Sequence, residues 1–319
     1  MGEFDLIERF FKRPPRKADV GIGDDCAVWS ARAGHQLAFS ADMLVEGRHF
    51  LSTVEPSRLG HKALAVNLSD LAACGATPQA FLLSLSLPRA DEGWLSGFSQ
   101  GLFQLADAHH CELIGGDTTQ GPLNIAITVM GDVPVGQSIL RSGAQVGDDI
   151  YVSGHLGDAR LALEAFRGSV GLPQPVFDTA RLRMELPTPR VALGMALRGI
   201  AHAMADISDG LLGDLGHILK ASHVGAEIDL AAMPDLMQTS HLWSCPSDLA
   251  LTCVLSGGDD YELVFCAPPS ASEAIHAVSQ ACMTPITRIG RITGQPELVL
   301  RDAHGQIVPL KFRSFDHFA

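Results

Sequence analysis

Of the 36 acidic side chains in this 319-residue chain, 24 are Asp and 12 are Glu, and the Asp residues gather beside Gly and Ser. The runs are Gly21-Ile22-Gly23-Asp24-Asp25, Gly115-Gly116-Asp117, Asp206-Ile207-Ser208-Asp209-Gly210 and Gly257-Gly258-Asp259-Asp260, accompanied by Ser40-Ala41-Asp42 and Asn67-Leu68-Ser69-Asp70. Glycine admits backbone angles that other residues avoid, so the chain turns sharply and the carboxylate that follows projects from the corner. A single Gly-Asp corner is ordinarily only a turn. Several of them brought together would repel one another unless cations lay between, which makes a cluster of multivalent ions the natural arrangement. Every candidate donor is a hard oxygen, with neither Cys nor a His pair among them. That favours Mg²⁺, Mn²⁺ or Ca²⁺ over zinc. Mg²⁺ held by few carboxylates keeps positions open for water or for substrate phosphates.

The formal charge of −13 repels a phosphate backbone, and 14 Phe, 3 Trp and 2 Tyr leave little surface for stacking bases, so nucleic acid is excluded as a partner. A polyphosphate ligand would instead need positive charge from metal ions. Main-chain N–H groups at Gly115-Gly116 and the guanidinium of Arg141 could add to it. Recognised phosphate loops are missing. No G-x-x-x-x-G-K-[ST] occurs, and the dinucleotide-like start at Gly21-Ile22-Gly23 has Cys26 where the third glycine belongs. Protein-kinase signatures and G-x-S-x-G are absent as well. The seven cysteines are never spaced C-x-x-C, so they read as buried, reduced thiols rather than zinc ligands or disulfides. With no signal-like start, no myristoylation pattern and no run of 18 uncharged apolar residues, the expected compartment is the cytoplasm, without a membrane partner.

Along the chain, Phe4, Ile7, Phe10 and Phe11 mark a short amphipathic helix over 3–11 that Pro14-Pro15 stop. Apolar runs follow at 27–29 and 36–41. The pattern then predicts a helix over 58–74, a strand over 80–87, a helix over 92–110 and a strand over 123–133. The Gly-rich, polar segment 134–149 separates this unit from the next, giving domains 1–138 and 139–319. In the second, helices are expected near 158–166, 190–198, 210–221 and 271–281, and strands up to Asp206 and over 227–230, 261–266 and 286–292. Residues 249–255 fit either type. Asp214 follows Asp209 by five residues, which on one helix would turn it to a different, solvated face. Lys62 and Asn67 lie within the first long helix, where packing and function are not separable by sequence.

The motifs Gly21-Ile22-Gly23-Asp24-Asp25-Cys26-Ala27, Lys62 to Ala73, Ile114-Gly115-Gly116-Asp117-Thr118-Thr119 and Ser208-Asp209-Gly210-Leu211, with Gly2-Glu3-Phe4 and Phe315-Asp316-His317-Phe318 at the ends, closely resemble the bacterial thiamine-monophosphate kinases. The likeness runs from residue 2 to 318 in the family's order. It implies an α+β, two-domain synthetase-like fold: an amino-terminal mixed-sheet domain that binds ATP and metal and pairs in a homodimer barrel, and a carboxy-terminal α/β domain that completes the active site. It implies direct, in-line phosphoryl transfer from ATP to thiamine monophosphate with several Mg²⁺ ions, without a committed side-chain nucleophile or base. Carried over by position, the metal ligands fall on Asp25, Ser40, Asp42, Asp70, Asp117, Asp206 and Asp209. Nucleotide contacts fall on Gly116, Asp117, Arg141 and Ser208, and thiamine monophosphate contacts on His49, Asp259 and Phe315. This chain departs from relatives at Ala41, where a Thr hydroxyl is frequent, at Asp259, where Glu is frequent, and at Phe315, where Tyr or Trp is frequent. The alternatives are another ATP-using enzyme of the same superfamily and a non-enzymatic divalent-cation binding protein. Against the selenophosphate synthetases, no Cys precedes residue 20.

Overall fold

A computed structural model of the chain describes residues 2–309, which form two compact units. The first holds residues up to Leu71 and Ala76–Gly136; the second holds Ala72–Gly75 and the remainder from Gln137. Phe315 lies outside the described residues.

The amino-terminal unit opens with helix α1 (Glu3–Leu6), which continues as a π-type turn over Ile7–Phe11. Strand β1 (His35–Val45), helix α2 (Pro56–Ala73), strand β2 (Thr77–Leu87), helix α3 (Glu92–Ala108), strand β3 (Glu112–Gln120) and strand β4 (Asn124–Pro134) follow. The sheet order is β1-β4-β2-β3, with β2 and β3 parallel and the other pairs antiparallel. Alternation along β2 buries Phe81, Leu83, Leu85 and Leu87 on one face, where α2 and α3 add Leu64, Leu68, Leu95, Phe98 and Leu102 to the core. Helix α2 is enclosed nearly all round, as its low charge and apolar run allow, and even Lys62, Asn67 and Ser69 are buried there.

The carboxy-terminal unit contains β5 (Asp149–Ser153), α4 (Asp158–Phe166), α5 (Gln174–Glu185), α6 (Val191–Ala196), β6 (Ala203–Asp206), α7 (Leu211–Ser222), β7 (Gly225–Asp229), α8 (Ser247–Ser256), β8 (Leu263–Ala267), α9 (Ser272–Ala281), β9 (Ile286–Thr293), β10 (Leu298–Arg301) and β11 (Ile307–Val308). Its seven-stranded sheet runs β11-β10-β7-β9-β5-β8-β6, with only β10 and β7 parallel. Strands β5 and β8 are buried at every position, so both of their faces are covered. Ile150, Val152, Val264 and Cys266 from these strands pack in one core with Leu161, Leu215, Ile218 and Val254 from the helices.

The predicted elements recur with shifted ends, and three differences have physical causes. Residues 249–255 lie in helix α8, which Pro246 introduces at its N-cap. Helix α5 escapes the periodicity because its sequence is polar and carries Pro175 in its first turn. The glycines at 115 and 116 predict a Gly-Asp corner at 115–117, where the structure has strand β3. Pairing with β2 keeps this stretch extended, with a register shift between Phe81 and Leu82 that leaves Ile114 unmatched.

Candidate active site

In the amino-terminal unit, four of the five predicted oxygen ligands, Ser40, Asp42, Asp70 and Asp117, sit on regular elements. Ser40 and Asp42 are two residues apart on β1 and therefore share a face of the sheet. The Ser40 hydroxyl donates a short hydrogen bond to Asp70 Oδ2 on α2. Asn67, one turn before Asp70, donates its amide to Ala63 O at 3.0 Å and accepts the Asp42 N–H at 3.1 Å. The buried Asn67 thus ties the strand bearing Asp42 to the helix bearing Asp70, a role that a polar side chain directly after the apolar run 63–66 could have signalled.

Gly116 pairs with Leu83 on the same side of the sheet as Asp42, since Asp42 pairs with Ile127 and Ile127 with Leu83. Its φ is 147°, and a Cβ there would come within 1.8 Å of the Leu83 carbonyl oxygen. No residue but glycine fits, and the turn in the backbone breaks the strand's regular pleat just before the exposed Asp117. Asp25 lies in an exposed bend, where its N–H donates to Asp24 Oδ1 at 2.8 Å. His49 follows β1 in a turn, and its Nδ1 accepts the Val45 N–H at 3.0 Å. That bond places the proton of the neutral ring on Nε2.

In the carboxy-terminal unit, the predicted residues cluster on loops. Asp206 ends β6 and is buried, while Ser208 and Asp209 are half-buried in the bend before α7. Asp259, also half-buried, donates its N–H to Ser208 O at 2.9 Å, and its Oδ1 accepts the Tyr261 hydroxyl at 3.0 Å. Asp214 corrects the expectation of a solvated residue: only 3% of it is exposed. Asp209 precedes α7, so helical spacing does not relate the two, and the Asp214 side chain reaches back to the bend instead. Its Oδ2 accepts N–H bonds from Ser208 at 2.9 Å and Asp209 at 3.1 Å. Burial pushes its carboxyl up to about 6, against the pull of those N–H groups and of the exposed Arg141 guanidinium.

Behind the Asp259 loop stands a buried polar network that the sequence reading missed. Glu262 is fully enclosed and receives Arg190 Nε and Nη2, each at 2.6 Å, Arg183 Nη2 at 2.8 Å and Ser153 Oγ at 2.6 Å. Burial opposes its ionisation, but the hydrogen bond and charge of Arg190, with the charge of Arg183, outweigh it and hold Glu262 below the usual carboxylate range. Asp260 accepts the Gly157 N–H on both oxygens, at 2.9 and 3.1 Å. Burial raises its carboxyl well above the ordinary value, opposed by that N–H and by Arg183. The signal lay in Glu262 itself, a charged residue directly before the apolar run Leu263-Val264-Phe265-Cys266.

None of the seven cysteines forms a disulfide, and burial pushes Cys111, Cys253 and Cys266 up to about 12, as befits inert thiols. Cys26 differs from the buried reading and is exposed, because it occupies the same open bend as Asp25. Among the described residues, no group of three or more His, Cys, Asp or Glu side chains stands assembled to hold a metal, and no helix is long and apolar enough to cross a membrane.

Two mixed-sheet domains carrying acidic oxygen donors on strands and loops define an AIR synthase related protein. The N-terminal domain model of that group matches residues 23–133 and its C-terminal domain model matches residues 145–303. Within it, the chain belongs to the thiamine-monophosphate kinase family. It is 43% identical over 322 residues to the thiamine-monophosphate kinase of Escherichia coli (strain K12), covering 100% of this chain and 98% of that relative. The crystal structure of thiamine-monophosphate kinase from Stenotrophomonas maltophilia K279a is similar, with a TM-score of 0.85, 43% identity and 96% of each chain covered. AaThiL complexed with AMPPCP and TMP shares 28% identity at a TM-score of 0.76, over 91% of this chain and 89% of that one.

Proposed function

We propose that the protein transfers the γ-phosphoryl group of ATP to thiamine monophosphate, yielding thiamine diphosphate and ADP. The observation that carries this reading is full-length identity of 43% to a thiamine-monophosphate kinase, joined to side-chain oxygen donors at Asp25, Ser40, Asp42, Asp70, Asp117, Asp206 and Asp209. A terminal phosphate oxygen of thiamine monophosphate attacks the γ-phosphorus in line, and the bond to the β-phosphate oxygen breaks. Such transfer asks a protein chiefly for positioning and for neutralisation of charge.

The donor set fits Mg²⁺: Asp25, Ser40, Asp42, Asp70 and Asp117 in one unit and Asp206 and Asp209 in the other are all hard oxygen donors. When bound, Mg²⁺ would offset the charge on the transferring group. The chain's own contributions are more specific. Asn67 and the Ser40–Asp70 bond hold β1 against α2, keeping Asp42 and Asp70 in fixed register. The main chain at Gly116, with Ser208, Asp117 and Arg141, holds the nucleotide. His49 contacts the monophosphate, Asp259 takes a hydrogen-bond donor of the organic part, and Phe315 supplies an aromatic face for the cationic ring.

The proposed assembly is a homodimer. Leu37, Phe39, Met43 and Leu82 are exposed apolar residues, and the strand register places them on the sheet face opposite the α2–α3 core. An exposed apolar face of this kind marks an interaction surface. The proposed compartment is the cytoplasm. Purified protein incubated with Mg-ATP and thiamine monophosphate should form thiamine diphosphate, separated and quantified by chromatography. A folded, metal-supplied protein that forms none would overturn the reading.

A further inference from the structure

We infer that Asp214 is a positioning residue that fixes the Ser208–Asp209 backbone through the place of its carboxyl oxygen. The inference rests on the functional reading above, which assigns nucleotide and metal contacts to this bend. Ser208 and Asp209 lie just before α7, where N–H groups have no partner within the helix. A single atom, Asp214 Oδ2, receives both of them. From the other side, Asp259 N–H donates to Ser208 O at 2.9 Å, Tyr261 N–H to Ile207 O at 2.9 Å, and Ile207 N–H to Glu262 O at 2.8 Å. The N–H and C=O of Ile207 and Ser208, and the N–H of Asp209, are therefore all engaged.

The contact is close. A Cβ on Gly258 would meet Ser208 O at 2.2 Å, so only glycine allows the two loops to approach. Asp259 and Tyr261 adopt φ values of 71° and 53°, conformations unfavourable for side-chain-bearing residues that the surrounding hydrogen bonds sustain. The bend is thus gripped between Asp214 and the 259–262 segment. Nothing in α7 needs Asp214 for its own ladder, since the Asp214 N–H already donates to Gly210 O. The buried side chain serves the bend.

Three full-length variants test this by separating oxygen position from charge. Asp214→Asn keeps an oxygen where both N–H groups point and removes the charge. Asp214→Glu keeps the charge and displaces the oxygen by one methylene, and Asp214→Ala removes both. Steady-state kinetics with Mg-ATP and thiamine monophosphate should show D214A losing about 10–100-fold in kcat/KM for ATP, the range typical of partners that orient a binding group. D214N should recover to within about 3-fold of wild type, and D214E should fall below D214N, as expected where placing an oxygen matters more than charge. The inference is overturned by a D214A enzyme within about 2-fold of wild type, or by D214E outperforming a folded D214N. Should D214A not fold, the order of D214N and D214E decides. If wild type forms no thiamine diphosphate, the functional reading falls while the clamp is still tested by hydrogen exchange. Ser208 and Asp209 amides should be protected in wild type and D214N, and equally fast exchange in wild type and D214E overturns the clamp.

Discussion

The two units place their acidic donors by different physical means. In the amino-terminal unit, strand and helix geometry does the work: Ser40 and Asp42 share a face of β1, and Asn67 and Asp70 lie one turn apart on α2. A few side-chain bonds then tie strand to helix. In the carboxy-terminal unit, Asp206 ends a strand but Ser208, Asp209 and Asp259 sit on loops, and buried carboxyl groups hold those loops in shape: Asp214 under one, Asp260 and Glu262 under the other. Regular elements position side chains through backbone hydrogen bonds that any sequence can supply. Loops need dedicated partners, and a buried charge without its partner is costly.

This contrast predicts that the largest stability loss comes from the loop-bearing unit. Glu262→Ala would leave Arg183 and Arg190, 12% and 15% exposed at the side chain, beside an uncompensated cavity. We expect a loss of about 3–5 kcal/mol, measured by urea unfolding. Near-wild-type stability would show that the second unit does not depend on this network. Asp70→Asn, and separately Asp117→Asn, should instead leave unfolding midpoints close to wild type while lowering kcat on the order of 100-fold, as removal of one electrostatic stabiliser does. Substantial unfolding by either change would erase the distinction, and normal turnover would remove that residue from the proposed metal ligands.

What could be read from the sequence follows the same division. The α2 motif and the alternation of β1 and β2 report their own geometry, because helix and strand periods convert spacing into facing. Helix α7 was visible too, yet its period misplaced Asp214, because Asp209 belongs to the bend before the helix and obeys no helical spacing. Gly115-Gly116 suggest a corner where strand β3 runs, since local glycine content says nothing about a long-range partner such as β2. Glu262, Arg183 and Arg190 are separated by up to 79 residues in the chain, and nothing local pairs them. The family motifs nominated site residues, whereas the partners that hold them became visible only with the fold.

The pH dependence of stability sharpens the comparison further. Burial raises the Asp260 carboxyl well above 3.8, with Gly157 N–H and Arg183 opposing and Asp158 and Glu262 reinforcing the shift. A folded-state value above the unfolded one means that the folded protein holds the proton longer. This contribution is fully present below pH 3.8 and is lost as pH rises through the folded value. Asp260→Asn mimics the protonated acid and keeps an acceptor for Gly157. Relative to wild type, the variant should therefore gain stability with rising pH in urea titrations between pH 5 and 8. A constant difference across that range would mean that Asp260 ionises in the fold as it does in the unfolded chain.

The smallest effect is expected at Arg141, which is exposed on a loop and whose charge reaches Asp214. Water screens an exposed cation, so its attraction to a phosphate is worth little by itself, and about 5-fold is a reasonable ceiling. Arg141→Ala should accordingly raise the KM for ATP by about that factor, leave kcat and the KM for thiamine monophosphate unchanged, and show a smaller penalty at high salt. A fall in kcat with unchanged KM for ATP would assign Arg141 to the transferring group rather than to holding the nucleotide. The carboxy-terminal unit would then contribute to the chemical step as directly as the strand-borne donors of the first.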